Sequence, residues 1–530
     1  MSGLPGMVYQ DRIQKKITQQ FGGYNHNLYA SDGQIWDMEN MTSDFYPLLA
    51  PRKPRHYTQD LTKPNGLYGR DGLYWIDGTK FYAAGVEKGT VTDSYKTITN
   101  IGNYIIILPD KKYYNTETGT FGSLESTWSG TAKFQDGTYA GEEAEANTIY
   151  ANGVTWSDYF KEGDAVEISG ATTHTGNNKT IIIREIDGAN LRFYENSFEI
   201  NAGGDTESLT ISRSMPDMDF ICENENRLWG CTDDTIYASK LGDPFNWNVY
   251  DGLGTDSYAV SVGSAGEFTA CTSYLGYPIF FKEDVIYKVY GDRPSNYQVM
   301  SSASLGVESG SSRSIAVAGE TLFYLSKAGV MAYSGGIPQA IGAAFGTVRY
   351  KNAVGGSDGR KYYVSMQAPA GGYSLFVYDT WTSLWHREDS LRVLDFGYDK
   401  EMYFMGADGK IWISPAAREI PAGAVSEGTV NSMAEFGDFV EGDPNVKGIS
   451  KIQLRLEIDA GSSVTVLIKY DSIGTWQTVK ALSSATKKSY YLPVIPRRND
   501  HFRLKIEGAG GWRLYSLTRE SYSGSELKTY

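Results

Sequence analysis

A strand–turn–strand unit recurs along most of this chain of 530 residues, and it constrains the possible folds more than any other feature. Each copy contains an aromatic or β-branched run, a turn rich in Asp, Gly or Lys, and a second apolar run, which is the sequence pattern of a β-hairpin. The clearest copies turn at Asp233-Asp234 and at Glu283-Asp284. The copies cover residues 66–82, 101–114, 227–239, 276–290, 319–333, 359–378 and 401–413.

These seven units predict a β-propeller, because propellers contain about 4–8 blades of repeated β-structure. A small twisted sheet has two apolar faces that only neighbouring blades can bury, so the ring of blades must close. No long run shows the 3.6-residue period of an amphipathic helix, and the 59 glycines and 39 tyrosines suit strands and tight turns. The fold class is therefore all-β. A stack of ordinary β-sandwiches is the alternative.

Changes in the pattern of apolar and turn residues divide the chain into a propeller and three further segments. Between the second and third hairpin units, short strands alternate with turns at Asn177-Asn178 and Asp187-Gly188, which indicates a small β-barrel inserted in a propeller loop. The predicted segments are an N-terminal arm (1–30), the first part of the propeller with its closing strand (31–126), an inserted small β module (127–215), the second part of the propeller (216–424) and a C-terminal antiparallel β-sandwich (425–530).

The two ends of the chain carry distinct patterns. Residues 1–30 are polar, which fits either a flexible tail or an arm that orders on a neighbour. The prolines in residues 46–55 force extended backbone, and we expect this segment to join the last blade and fasten the ring. In 451–458, every second residue is apolar, as in a half-buried sandwich strand. Those apolar residues are Ile452, Leu454, Leu456 and Ile458.

The three cysteines fit synthesis in a reducing cytoplasm. Cys222, Cys231 and Cys271 are an odd number without a Cys-x-x-Cys motif, and all lie in strand-like segments, so we expect buried reduced thiols. A Cys222–Cys231 pair is geometrically possible but not indicated. The sequence shows no secretory pattern and no apolar run of about 20 residues, so it predicts a soluble protein without a membrane anchor.

The formal net charge is −14, from 49 basic and 63 acidic side chains. An acidic surface argues against a DNA-binding protein that reads sequence, which needs a basic footprint. It is compatible with a channel wall along which a duplex slides without sticking. It is equally compatible with an ordinary acidic soluble protein.

The sequence contains no local signature of catalysis. The five histidines are scattered, and neither a Gly-x-Ser-x-Gly elbow nor a phosphate-binding loop is present. Glu142, Glu143 and Glu145 are better interpreted as a solvated loop than as a metal site. We therefore expect no catalytic residue, no cofactor and no metal, and a protein that is not an enzyme. Two carboxylates suffice for glycoside hydrolysis, however, and the chain has 63 acidic residues from which such a pair could come.

Two tryptophans stand out near a strand end. Trp381 and Trp385 lie in Tyr378-Asp-Thr-Trp-Thr-Ser-Leu-Trp-His386. Aromatic rings in such a position either stack on sugar rings or pack between blades. They are the only candidate ligand-binding residues that the sequence suggests.

Several motifs resemble propeller proteins encoded in phage and prophage virion gene clusters. The most specific is Gly242-Asp-Pro-Phe-Asn-Trp247, followed by Phe280-Phe-Lys-Glu-Asp-Val-Ile-Tyr-Lys-Val-Tyr-Gly291. The opening segments Phe21-Gly-Gly-Tyr-Asn25, Asp37-Met-Glu-Asn-Met41 and Pro47-Leu-Leu-Ala-Pro-Arg52 are similar to the same group, as are 306–310 and 322–333. The resemblance covers residues 21–60 and 218–413 and is patchy elsewhere.

In short-tailed phages, similar proteins form the tail hub or nozzle and are also called packaged-DNA stabilisation proteins. The resemblance implies a virion protein in a ring, commonly of six copies, at the head-distal end of the DNA channel. Its implied partners are other copies of itself, an adaptor and fibres of the tail, and DNA that passes without sequence-specific binding. The motifs are structural, so the resemblance transfers no catalytic residue.

Two further functions remain open from the sequence. The first is a receptor- or glycan-binding tail protein that uses Trp381 and Trp385 on a propeller face. The second is a propeller that cleaves glycans.

Overall fold

The computed structural model describes residues 13–139, 143–442, 446–471, 474–494 and 497–523. The fold is all-β, with seven successive antiparallel sheets in a β-propeller arrangement, six of four strands and the last of five, an inserted β module and a C-terminal β-sandwich. The chain forms two compact units. The first holds residues 65–68 and 74–309, and the second holds the remaining described residues.

The first unit contains blades 1 to 4, and each blade is a meander of four strands. Blade 1 comprises Pro64–Gly69, Leu73–Asp77, Lys80–Ala83 and Val86–Thr90. Blade 2 comprises Thr97–Ile101, Tyr104–Leu108, Lys112–Asn115 and Phe121–Ser123. Blade 3 comprises Phe220–Asn224, Arg227–Thr232, Thr235–Ala238 and Tyr258–Ser261. Blade 4 comprises Ala270–Tyr274, Tyr277–Phe281, Val285–Tyr290 and Gln298–Ala303, with a 3₁₀ turn at Pro294–Asn296.

The second strand of blade 2 shows why a blade strand carries apolar side chains on both faces of its sheet. Alternate side chains of a strand point to opposite faces of the sheet. Ile105 and Ile107 belong to the core that blade 2 shares with blade 1, whereas Ile106 and Leu108 belong to the core that it shares with blade 3. Blade 2 is thus buried on both sides by its neighbours within the first unit, as the sequence predicts.

The inserted module follows blade 2 and is a seven-stranded sheet with its own core. Its strands are Ser126–Gly137, Glu145–Tyr150, Ala165–Ser169, Thr180–Ile182, Glu185–Asp187, Asn190–Arg192 and Asp205–Arg213, with 3₁₀ turns at Trp156–Asp158 and Thr175–Asn177. The two strands at opposite ends of the sheet order, Thr180–Ile182 and Glu185–Asp187, are only two residues apart in the chain. The sheet must therefore curl back on itself as a small barrel.

The second unit contains blades 5 to 7. Blade 5 comprises Ala316–Ala318, Thr321–Ser326, Gly329–Tyr333 and Gln339–Ala340, flanked by 3₁₀ turns at Ser312–Ser314 and Gly342–Phe345. Blade 6 comprises Lys351–Ser357, Lys361–Gln367, Tyr373–Asp379 and Leu384–Arg387. Blade 7 comprises Val393–Asp399, Glu401–Gly406 and Lys410–Ile413, and its fourth strand is His56–Asp60 from the beginning of the chain. The short strand Val425–Ser426 pairs with the other edge of His56–Asp60.

The closing strand thus comes from the early part of the chain, but it begins one residue after the proline-rich segment that was expected to supply it. In that segment only Ala50–Pro51 is a strand, and it pairs with Met41–Thr42 outside the blades. Proline lacks the backbone N–H that a ladder requires, which explains the shift to the proline-free His56–Asp60.

The C-terminal sandwich is built on bent strands. Its strands are Ile13–Thr18, Ile35–Glu39, Asn431–Phe436, Lys447–Tyr470, Gln477–Leu492, Arg498–Asn499, Phe502–Ala509 and Trp512–Ser523. The first half of Lys447–Tyr470 pairs with Trp512–Ser523, and its second half pairs with Phe502–Ala509. The strand therefore crosses from one layer to the other, with Gly461 in the left-handed region (φ 78°) at the crossing.

The alternation in 451–458 is confirmed, since its four apolar side chains are at most 1% exposed in the sandwich core. The expectations for residues 13–39 are wrong. Ile13–Thr18 is not a flexible tail, because it pairs with Trp512–Ser523 of the same chain. Ile35–Glu39 pairs with Asn431–Phe436, so it belongs to the sandwich rather than to the propeller. Residues 1–12 lie outside the described residues.

Candidate functional site

The structure separates the two candidate tryptophans. Trp385 lies on the last strand of blade 6 and is 4% exposed. Its ring contacts that of Phe345 at a centroid distance of 4.7 Å, and its indole N–H donates a hydrogen bond of 2.9 Å to the carbonyl of Ile341. Trp381 lies in the preceding turn and is 77% exposed. Trp385 is therefore a core residue whose ring no ligand can reach, and only Trp381 is available for stacking.

Trp381 lies at the rim of a cavity of 660 Å³ within the second unit. Four parts of the chain contribute to the walls: the segment before the closing strand, the blade 6 turn at 358–361, the blade 7 turn at 398–402, and residues 414–418 after blade 7. Its charged lining residues are Asp44, Lys53, Asp358, Arg360, Lys361, Lys400, Glu401 and Arg418.

Asp379 holds the turn that carries Trp381. Its carboxylate is fully buried and accepts hydrogen bonds from the Trp381 backbone N–H at 3.0 Å, the Ser43 hydroxyl at 2.6 Å and the Arg360 guanidinium. Burial alone would raise the pKa of Asp379, but these donors, led by Arg360, keep the pKa below its ordinary value. Asp379 therefore stays ionised and fixes both Trp381 and Arg360.

The Arg360 guanidinium lies over the Trp381 ring, at 4.2 Å from the ring centroid. Such a cation on an aromatic face is stabilising and restricts the orientation of the ring. A guanidinium covers one face of an indole, and the large exposed fraction of Trp381 leaves the other face open. The arrangement thus presents a fixed aromatic surface at the cavity.

The acidic groups of the cavity are already occupied by donors from the protein. Asp44 accepts a hydrogen bond of 2.6 Å from the Lys361 ammonium, and Asp358 accepts one of 3.1 Å from the Tyr363 hydroxyl. Glu401 accepts the backbone N–H of Arg418 at 2.9 Å. Burial would raise the pKa of Asp44, but Lys361 holds it below the ordinary value.

Three basic side chains of the cavity are not neutralised. Lys53, Lys400 and Arg418 are exposed, and none of them forms an ion pair with a carboxylate in the described part of the chain. Arg360 and Lys361, by contrast, are paired with Asp379 and Asp44. The cavity therefore has an excess of positive charge in a protein whose net charge is −14.

Sequence reasoning missed most of this site. The one local signal is Asp379-Thr380-Trp381, in which an Asp side chain binds the backbone N–H two residues later, as in an Asx turn. Lys53, Lys400 and Arg418 come from separate segments, and nothing in their local sequence places them around one cavity.

The motif Gly242-Asp-Pro-Phe-Asn-Trp247 forms a buried joint between blade 3 and the inserted module. The Asn246 side chain accepts the Ala165 backbone N–H at 2.9 Å and donates to Asp164 at 3.1 Å and to Asp243 at 2.6 Å. Asp164 also pairs with the Arg213 guanidinium, which lies 5.0 Å from the centroid of the Phe245 ring. The motif is thus used for packing between modules rather than for chemistry.

Asn246→Ala is expected to destabilise the first unit by about 1–3 kcal/mol, because it leaves the buried Ala165 N–H and an oxygen of Asp164 without their partner. Urea unfolding followed by tryptophan fluorescence measures the change. Asn152→Ala, at an exposed turn of the module, is the control and should be neutral. Equal midpoints for the two variants would contradict the role of the joint.

A second buried joint holds the segment around Arg52 and Arg55. Arg55 is 1% exposed, pairs with Glu388, and donates to Asp389 at 2.6 Å. Arg52 pairs with Glu427 and donates to Asn40 at 2.9 Å. These contacts fix the chain immediately before the closing strand to the end of blade 6 and to the start of the sandwich.

Within the described residues, no group of three or more His, Cys, Asp or Glu side chains is arranged to hold a metal ion. Glu142 lies outside those residues. All three cysteines are free; Cys222 and Cys231 are buried and Cys271 is half-buried. A hydrogen bond with Cys271, together with burial, raises the pKa of Cys222, so this thiol remains protonated.

Among the described residues, no helix has the length and apolar character needed to span a membrane.

No protein-family model matches the chain, and no curated protein matches it. Similar solved structures include Raptor from Chaetomium thermophilum, at 11% identity and a TM-score of 0.32, over 70% of this chain and 29% of that chain. They also include PorZ of the Porphyromonas gingivalis type-IX secretion system, at 12% identity and a TM-score of 0.27, over 88% of this chain and 71% of that chain. An exo-β-1,3-galactanase from Phanerochaete chrysosporium matches at 9% identity and a TM-score of 0.23, over 56% of this chain and 94% of that chain. This chain thus spans less than a third of the Raptor chain, and these similarities assign no family.

Proposed function

We propose that this protein is a structural component of a bacteriophage tail, a hub- or nozzle-type protein that forms a ring at the head-distal end of the DNA channel. The observation that carries the proposal is the use of the phage-like motifs as joints. Asn246 locks the inserted module to blade 3, and Arg52 and Arg55 lock the early chain to blade 6 and the sandwich. Motifs whose side chains fix modules to one another suit a structural protein that bears mechanical load.

The electrostatics support the same role. With a net charge of −14, the protein repels the phosphates of a duplex at long range, so DNA can pass without being retained by the wall. A ring of identical copies requires a heterologous contact that closes on itself. In this proposal the partners are other copies of the chain, a tail adaptor, tail fibres and the passing DNA, and the protein resides in the virion.

The strand Ile13–Thr18 is the candidate ring contact. It lies at the end of the sandwich sheet order, and its side chains Ile13 and Ile17 are 65% and 56% exposed. An edge strand with exposed apolar side chains is a surface onto which another chain can add. A neighbouring copy would cover these isoleucines in the ring.

The double variant Ile13→Lys, Ile17→Lys is therefore expected to lower ring formation at least about tenfold, since two charged side chains would replace the apolar ones that the neighbouring copy covers and would lose their hydration in the contact. Analytical ultracentrifugation and negative-stain electron microscopy, with and without tails that lack their nozzle, measure assembly. Val86→Lys, at a blade 1 residue that is 55% exposed, is the matched control and should assemble normally. A wild-type protein that stays monomeric and does not add to such tails would overturn the proposal.

A second function, binding of a sugar ligand by the tail, is favoured by one observation. The exposed and oriented ring of Trp381 stands beside a cavity of 660 Å³, which is within the range of about 300–1,000 Å³ typical of ligand sites. This function does not require catalysis and is compatible with a structural role in the tail.

A further inference from the structure

We propose that the cavity beside Trp381 binds an acidic saccharide, with a sugar ring on the indole and the sugar carboxylate held by Lys53, Lys400 and Arg418. The inference rests on the second proposed function and adds the chemical class of the ligand. It follows from three observations: the fixed aromatic surface, the unneutralised cations, and the size and surroundings of the cavity.

The aromatic surface is arranged before any ligand arrives. Asp379 accepts the Trp381 backbone N–H, and the Arg360 guanidinium that Asp379 also holds covers one face of the indole. A large apolar ring that is exposed to water and cannot turn away loses little entropy when a ligand covers it. The apolar C–H face of a pyranose is flat enough to stack on such a ring.

The cavity lining holds five basic and three acidic side chains, so its charge favours an anion. Its carboxylates already accept protein donors, whereas Lys53, Lys400 and Arg418 have no acidic partner in the described part of the chain. A hydrogen bond between a carboxylate and a guanidinium or ammonium is stronger than one between neutral groups. A ligand carboxylate would therefore find its donors among these three side chains.

The same lining can also recognise hydroxyl groups. Ionised carboxylates have more acceptor positions than single donors fill, so Asp44 and Glu401 can still accept hydrogen bonds from sugar hydroxyls. A volume of 660 Å³ accommodates a short oligosaccharide end. The net charge of −14 disfavours a long polyanion, so the best fit is a mostly neutral chain that ends in one acidic sugar.

The test uses isothermal titration calorimetry on the full chain, with a trisaccharide that carries glucuronic acid at its non-reducing end. The same trisaccharide with glucose in that position, adenosine monophosphate and inorganic phosphate are the comparison ligands. The variants are Trp381→Ala and Lys400→Gln, both at exposed positions, and Lys88→Gln on blade 1 is the matched control. Thermal melting verifies that all three variants fold like the wild type.

We expect the acidic trisaccharide to bind at least about tenfold more tightly than the neutral one, and each cavity variant to weaken it by at least about tenfold while Lys88→Gln does not. Higher salt should also weaken binding. Binding of the neutral sugar as tightly as the acidic one would overturn the inference and leave sugar binding in place. No binding of either sugar would overturn both, as would tighter binding of adenosine monophosphate. Equal affinity for inorganic phosphate would overturn the inference by reducing the site to a general anion site.

Discussion

Replacing Arg55 with alanine is expected to lower the free energy of unfolding by about 3–5 kcal/mol, because the substitution leaves buried carboxylates without their main partner. Glu388 is 4% exposed and pairs with Arg55, and Asp389 accepts from the other arm of the same guanidinium. Arg52 lies farther from both, at 3.9 Å from Glu388 and 3.5 Å from Asp389, and is already engaged by Glu427. It therefore replaces only part of the lost interaction.

Urea unfolding, followed by tryptophan fluorescence, gives the change in stability, and limited proteolysis shows whether the chain near the closing strand becomes accessible. Adding Glu388→Gln to Arg55→Ala should recover part of the loss, since it removes one orphan charge. Lys80→Ala breaks the exposed Lys80–Glu87 pair and should leave the midpoint unchanged. An unchanged midpoint for Arg55→Ala, or no recovery in the double variant, would show that the joint is not a source of stability.

Acidification from pH 6.5 to about pH 4 is expected to cost the protein about 3 kcal/mol through His386 alone. His386 is 5% exposed on the last strand of blade 6, and burial, assisted by the nearby Lys361 ammonium, lowers its pKa from 6.5 to about 4. The negative charges of Asp379 and Asp44 act in the opposite direction but do not outweigh burial. Between these two pH values the unfolded chain binds a proton that the folded protein does not, so stability falls as the pH falls.

The stability curves of the wild type and of His386→Gln separate this effect from other titrations. The variant should show a shallower fall between pH 6.5 and 4, and His56→Gln, on the closing strand, controls for the loss of an imidazole. Carboxylates with lowered pKa values, such as Asp379 and Asp389, contribute below their ordinary value of 3.8, outside this window. Identical slopes for the wild type and His386→Gln would contradict the assignment.

The blades could be predicted because the residues that determine each hairpin are close together in the sequence. A hairpin such as Arg227–Thr232 with Thr235–Ala238 carries its turn at Asp233, which adopts a left-handed φ of 48°, and its strand formers on both sides. The outer strands of the blades were harder to recognise. Gln298–Ala303, for example, is mostly exposed and polar, so its hydrophobic pattern is weak.

The long-range pairings were not predictable from local pattern. The strand Ile13–Thr18 pairs with residues near 520, and neither its polarity nor its length indicates that partner. The site shows the same limit. Trp381 and Trp385 look equivalent in the sequence, but the first occupies a turn held by Asp379 and the second a strand packed under Phe345. Burial of a side chain depends on which elements pack against it, and the local sequence at the end of one strand does not identify those elements.

The strand exchange in blade 7 has a consequence for the protein's biosynthesis. Asp60 pairs with Lys410, 350 residues later, so at about 5–20 residues per second the early strand waits roughly 20–70 s on the ribosome for its partner. During that interval its backbone N–H and C=O groups can pair with another nascent chain. Where many copies are translated side by side, His56–Asp60 of one copy could pair into blade 7 of another copy. The time that this strand waits for its partner therefore sets the period in which intermolecular strand swapping can occur and in which chaperones would have to prevent it.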